Sequence, residues 1–215
     1  MTESPEIEQE GVIKYQCHHE YSPLKNHQPS VIAFNDLLPW RQLSWQLKLI
    51  GQDQALYEGY GYGNISIRHP EKGFLISGSQ TSGVESPDVE DFCWVQSVVL
   101  AVNEVVSKGD VKPSSESMTH AAIYEALPQA CAVLHAHNAT IFKKADTLSL
   151  PATSSDIPYG TVAMAKAVQN LVTEMGNSGV FVMKGHQDGV VSYAESPEQA
   201  AALMIDILAK ASLNE

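Results

Sequence analysis

Two stretches carry side chains whose types and spacing could do chemistry. Residues 113–120 read Pro-Ser-Ser-Glu-Ser-Met-Thr-His, and residues 131–137 read Cys-Ala-Val-Leu-His-Ala-His. Alternate residues of a β-strand point to the same face. A strand ending in His135 and His137 therefore sets two imidazoles side by side, which is what a metal ion needs from a rigid element. A third histidine beyond them would make a three-histidine site with an open coordination position, as catalytic zinc sites leave for substrate or water. Glu116 beside such a site could act as an acid–base group. On spacing alone, a pair of structural histidines on a buried strand remains the alternative.

Other stretches carry weaker signals. Cys17, His18 and His19 look metal-like, but adjacent residues on a strand face opposite ways, so a surface histidine pair is expected. His120 lies one helical turn after Glu116 and is expected to be packed or hydrogen-bonded. Gly59, Gly61 and Gly63 leave backbone N–H groups accessible, for a tight turn or an anion cradle. They do not match G-x-G-x-x-G before a helix, which argues against a dinucleotide site. Residues 77–83, Ser-Gly-Ser-Gln-Thr-Ser-Gly, form a hydroxyl-rich loop suited to a plain connection or to a phosphate.

These groups need elements to position them. Loose alternation over 11–21 predicts an edge strand. Asn35-Asp36 can cap a helix with Trp40, Leu43, Leu47 and Ile50 on one face, ending at Gly51. Strands are expected to finish at Arg68 and to span 74–77. A hairpin follows, from 93–100 and 102–106, ending at Lys108-Gly109. Ser114 or Ser115 is the expected N-cap of a helix over 116–127, whose N-terminus is a natural anion site. The strand 131–137 and a mixed, polar stretch over 138–158 come next. Val162, Ala165, Val168, Val172 and Met175 mark a helix, residues 180–183 a strand delivering His186, and 189–193 another strand. Ser196-Pro197-Glu198 caps a last helix with Ala200, Leu203, Ile207 and Ala211 on its apolar face. Helices on both sides of one mostly antiparallel sheet make an α/β single domain.

Composition bounds the function. A chain of 215 residues with 44% hydrophobic and 18% charged residues suits one globular domain with a sizeable core. The net charge of −12 disfavours non-specific nucleic-acid binding, though not an anionic small substrate. Three widely spaced cysteines fit a reducing compartment. The acidic first ten residues, expected to fray, hold no apolar run. No apolar stretch reaches the length of a membrane span. A cytoplasmic protein with no membrane or nucleic-acid partner is the expectation.

Taken together, Tyr-Gly-Asn-Ile-Ser-Ile-Arg (62–68), Leu-Ile-Ser-Gly-Ser (75–79), Pro-Ser-Ser-Glu-x-x-x-His (113–120), His-Ala-His (135–137), Tyr-Gly-Thr (159–161) and Met-Lys-Gly-His (183–186) resemble the class II aldolase/adducin family. Order and spacing agree from about residue 35 to the C-terminus. The resemblance implies an N-terminal extension over 1–34 and a single domain over 35–215. It also implies a three-layer α/β/α sandwich with a central, mostly antiparallel sheet, and a homotetramer with active sites between subunits. It assigns a divalent metal, Zn2+ above others, to His135, His137 and His186, and the general acid/base role to Glu116. Its phosphate-binding segments match Gly63, Asn64, Ser114, Ser115 and, less directly, Ser79.

Family chemistry explains this combination. A phosphorylated ketose or related keto sugar chelates the metal, which stabilises an enediolate while the glutamate moves a proton. Aldol cleavage is the leading expectation. Epimerisation, dehydration or decarboxylation on the same scaffold, or a non-catalytic adducin-like module, are the alternatives. The sequence departs from the family in three places. The stretch from His137 to Tyr159 is short and lacks a clear cross-subunit acid, for which Tyr159 and Asp156 are the candidates. Ser79-Gln80 stands where Thr-Gly is usual. His186 is followed by Gln187-Asp188-Gly189, a turn two residues longer than the family's His-Gly.

Overall fold

The computed structural model describes residues 12–213; the expectation of a frayed acidic start lies outside them. Strand β1 spans Gln16–Tyr21 and helix α1 Gln28–Gln46. They are followed by β2 Gly51–Gln52, β3 Gly61–Tyr62, β4 Asn64–Arg68, β5 Phe74–Ser77, β6 Phe92–Val99 and β7 Glu104–Gly109. Helix α2 spans Ser117–Ala126, β8 Ala132–His137, α3 Ala139–Lys143 and β9 Ala152–Thr153. The chain then forms α4 Val162–Met175, β10 Gly179–Met183, β11 Gly189–Ala194 and α5 Pro197–Leu213.

Nine strands form one sheet in the order β1-β7-β6-β5-β4-β8-β11-β10-β9, while β2 and β3 pair separately. Every pairing from β7 across to β10 is antiparallel. The two outermost strands, β1 and β9, are added parallel to their neighbours. Strand alternation divides the interior in two. Val133, Phe181, Met183 and Val191 pack with Met118, Ile123, Met164 and Val168 from α2 and α4. Leu134, Ala136, Val182 and Val190 face the other way, onto Phe34 and Leu37 of α1, Ile141 of α3 and Met204 of α5. Each large buried side chain of this kind contributes about 1.5–3 kcal/mol. The result is the expected α/β/α sandwich with a mostly antiparallel sheet.

The structure changes three local readings. Helix α1 starts at Gln28, with Pro29 in its first turn, so Asn35 and Asp36 are exposed in mid-helix and cap nothing. Its buried side is Ser30, Ala33, Phe34, Leu37, Arg41 and Ser44, a stripe whose polar members hid its spacing. Residues 138–158 hold α3, capped by Asn138 Oδ1 accepting from Ile141 N–H at 2.9 Å, and the short β9. A division at 34/35 would cut α1, and residues 16–21 form an edge strand of the main sheet.

Candidate functional site

His135 and His137 stand on central strand β8, which is buried throughout. Leu134 and Ala136 enter the α1/α5 core, so the two imidazoles face the α2/α4 layer. His186 arrives from the turn between β10 and β11, closed by its own N–H on Met183 O at 2.9 Å. Gly185 in that turn lies so close to the Ile157 carbonyl that no Cβ would fit. The ring centroids form a nearly equilateral triangle, with sides of 4.9, 4.9 and 4.8 Å. One ring nitrogen from each histidine lies within 4.8 Å of the others.

Glu116 is 1% exposed and sets Oε1 3.5 Å from His186 Nδ1. Its other oxygen accepts from Thr119 Oγ1–H at 2.6 Å. A carboxylate so deeply buried is costly unless hydrogen-bonded and partnered by positive charge. Burial and the neighbouring His137 and His186 rings hold the His135 pKa well below the usual histidine range, so its ring stays neutral. Neutral imidazole is the form that ligates a metal.

The donor set fits a divalent ion. His135 Nε2 is buried and has no hydrogen-bond partner among the described residues, a state that costs about 1–3 kcal/mol unless a ligand bond offsets it. Its Nδ1 lies 3.3 Å from the Asn64 amide, whose Oδ1 is likewise without a partner among the described residues. With that amide turned so that its oxygen accepts from Nδ1–H, the Nε2 lone pair is left for an ion.

The residues expected to bind phosphate also gather. Gly63, Asn64, Ser79, Ser114 and Ser115 line one polar depression, joined by Gln80 and Ser82. Gly63 is required: its φ is +69°, and a Cβ there would sit 2.7 Å from Leu49 O and 3.0 Å from His135 O. Several donors are already engaged, Ser79 N–H by Lys112 O, Ser114 N–H by Ser77 O, and Gly61 N–H by Gln80 Oε1. Gln80 itself holds a left-handed φ of 62°.

The start of α2 differs from expectation. Neither Ser114 nor Ser115 caps it, because Glu116 occupies the N-cap position with no side-chain cap bond. Pro113 is instead held by a β-bridge to Gly78, and Ser114 Oγ accepts from Glu116 N–H at 3.3 Å. His120 stands outside the histidine triangle and bonds Ser66 Oγ at 2.7 Å, with burial lowering its pKa to about 3. Asp156 is exposed, and Tyr159 stacks on His186 at 4.2 Å between centroids.

Four supports had no role assigned from the sequence. Tyr15 O–H donates to Pro113 O and Ser114 O at 3.1 and 2.9 Å, pinning the turn before Glu116. Lys14 Nζ sits 3.7 Å from the centroid of the Tyr159 ring. Arg68 donates to the carbonyls of Tyr124, Leu127 and Ala130 and so fixes the far end of α2. Arg41, 2% exposed, donates to Thr81 O and Ser82 O behind the polar depression. A tyrosine, a lysine or two arginines in amphipathic stretches look like ordinary surface or core residues until the chain is folded.

The chain thus sets two histidines on a central strand, a third on a turn and a carboxylate at a helix start, within a three-layer sandwich. Residues 52–213 match the model of the class II aldolase and adducin N-terminal domain, and the chain belongs to that family. The L-ribulose-5-phosphate 4-epimerase UlaF of Salmonella paratyphi C is 26% identical over 153 residues, 64% of each chain. The probable L-ribulose-5-phosphate 4-epimerase UlaF of Mycoplasma pneumoniae is 28% identical over 128 residues, 55% of this chain and 51% of that one. The chain thus matches less than two thirds of the length of these relatives. Among solved structures, YgbL of Escherichia coli, a putative aldolase/epimerase/decarboxylase, superposes with a TM-score of 0.64 at 19% identity, over 86% of this chain and 88% of its own. The l-fuculose-1-phosphate aldolase of Thermus thermophilus gives a TM-score of 0.62 at 20% identity, over 86% of this chain and 92% of its own. At these identities the superpositions establish the fold. No helix among the described residues is long and apolar enough to cross a membrane.

Proposed function

We propose that this protein is a divalent-metal-dependent enzyme that moves a proton next to a carbonyl, in an aldolase-type carbon–carbon lyase reaction on a small hydroxy-carbonyl compound or sugar phosphate. The carrying observation is the triangle of buried histidines with Glu116 Oε1 3.5 Å from His186. His135, His137 and His186 would hold the ion, for which three imidazoles suit Zn2+. When bound, the ion supplies Lewis acidity, polarising the carbonyl and stabilising the negative charge that proton removal leaves. Glu116 takes or returns the proton on carbon, oriented by Thr119. The polar depression over Gly63, Asn64, Ser79, Ser114 and Ser115 holds the far end of the substrate. Burial of the carboxylate and imidazoles keeps competing water away from them.

Epimerisation at C-4 is the second reading, supported by the similarity to the two UlaF 4-epimerases. A homotetramer and a cytoplasmic location belong to the same proposal; three free thiols support a reducing compartment. The test is proton exchange into solvent from a panel of small ketoses and ketose phosphates, with the protein loaded with Zn2+ or Mn2+. Exchange that requires both metal and Glu116 is expected. A protein that binds no divalent ion, or exchange indifferent to Glu116, would reject the proposal. Product analysis then separates cleavage from epimerisation.

A further inference from the structure

Two turns from distant parts of the chain meet over the histidine triangle. Residues 57–59 run through three consecutive left-handed conformations, with φ of 49° at Tyr57, 58° at Glu58 and 81° at Gly59. Glycine tolerates this, but the side chains of tyrosine and glutamate make it strained. Asp188, in the lengthened turn after His186, is left-handed as well, at 58°. The Tyr57 phenol donates to Asp188 Oδ2 at 3.0 Å. The same ring meets His137 edge-on at 4.8 Å and Tyr62 at 5.2 Å. The Asp188 carbonyl accepts from Asn138 N–H at 2.9 Å, directly after His137. Residues 52–56 and 58 are exposed, and Tyr57 alone in that run turns inward. Packing of the run is therefore a weak reason for its strained backbone, and the Tyr57–Asp188 contact is the stronger one.

We infer that Tyr57 and Asp188 form a latch that fixes His137 and His186 relative to one another. Both are positioning residues: Tyr57 bears on the His137 ring, and the Asp188 carboxylate ties the His186 turn to Tyr57. The inference rests on the reading of the histidines as metal ligands, and it adds two residues on two turns to the support of that site.

The test has two arms. In metal-free protein, Tyr57→Phe and Asp188→Ala should each raise amide hydrogen exchange at Gly59 and Tyr60, whose N–H groups close the turn on Leu56 O and Tyr57 O, by about tenfold. Asp188→Asn keeps an acceptor and tolerates the left-handed backbone, so it should stay near wild type. In a chelator competition, Tyr57→Phe and Asp188→Ala should each weaken metal affinity on the order of tenfold, and the double variant should be no weaker than either single one. Unchanged exchange in Tyr57→Phe, or fully additive losses in the double variant, overturns the latch. Wild-type protein that binds no ion rejects the metal reading instead, and the exchange arm then decides the latch alone.

Discussion

Two groups of histidines in this protein make opposite use of the same side chain. His135, His137 and His186 direct ring nitrogens at one another across a closed triangle. His27 and His69 instead lie flat, in a stack with Trp94, at 4.9 Å and 4.3 Å from the indole. Their nitrogens are spent on neighbours. Glu71 N–H donates to His69 Nδ1 at 3.2 Å, which places the His69 proton on Nε2 and makes it the donor to Ser30 Oγ at 3.1 Å. Ser30 then donates to His27 Nδ1 at 2.9 Å, and His27 Nε2 faces Glu71 Oε1 at 3.6 Å. Every proton in that chain has one assigned place, and no lone pair is left for an ion. Clustering alone does not make a ligand set; convergence of ring nitrogens on one point does.

Substitutions in the two groups sharpen this contrast, and the largest effect is expected at Glu116. Glu116→Gln keeps the acceptor for Thr119 and leaves the histidines in place, so metal content should stay near wild type while proton exchange falls by about 10²–10⁴. Exchange at the wild-type rate would remove Glu116 from the mechanism. His135→Ala deletes a ligand together with the partner of Asn64, and metal affinity should drop by more than about 100-fold, read by competition with a chromogenic chelator. Full loading of that variant would make the triangle a packing arrangement like the stack.

The stack responds to pH instead of metal. Burial beside His27 lowers the His69 pKa to about 4 from 6.5. The unfolded chain thus binds the proton more readily, and the stability carried by neutral His69 is fully present above about pH 6.5 and lost as pH falls towards 4. The loss is about 1–3 kcal/mol, measured as a fall in urea midpoint between pH 7 and pH 4.5. His69→Phe should remove this share of the dependence and leave that of buried His120 and His135, and an equally steep fall in the variant would take His69 out of it. The smallest effect is predicted for metal binding by His69→Phe, which should match wild type in the same chelator assay.

The sequence displayed the site more fully than its supports. His135 and His137 are legible because i and i+2 on a strand share a face, and the same rule correctly separated His18 from His19. His19 instead bonds Ser107 Oγ at 2.9 Å, and His18 reaches Glu104 at 3.4 Å. Glu116 was a candidate from its helix start, while His186 entered as the third ligand through resemblance, as no local pattern links it to His135 and His137. The α1 stripe was missed because Arg41 and Ser44 are buried polar residues, Arg41 satisfied by carbonyls that only the folded chain brings near and Ser44 by Trp40 O one helical turn back. Ser114 and Ser115 had the composition of a cap. Tertiary bonds from Tyr15, and the bridge to Gly78, hold the start of that segment and move the N-cap to Glu116.

The ties that finish the site also close long loops. Lys14 meets the Tyr159 carbonyl across 145 residues, and Tyr57 meets Asp188 across 131. Contacts of such separation carry a large loop-closure cost and are expected to form late in folding. A ribosome-bound chain cannot assemble this centre until residues 186–188 have emerged, with both outer regions already docked on the sheet. Metal capture by the refolding protein should therefore be a last-step clock, lagging behind the rise of secondary structure, because the ion waits for distant segments to meet.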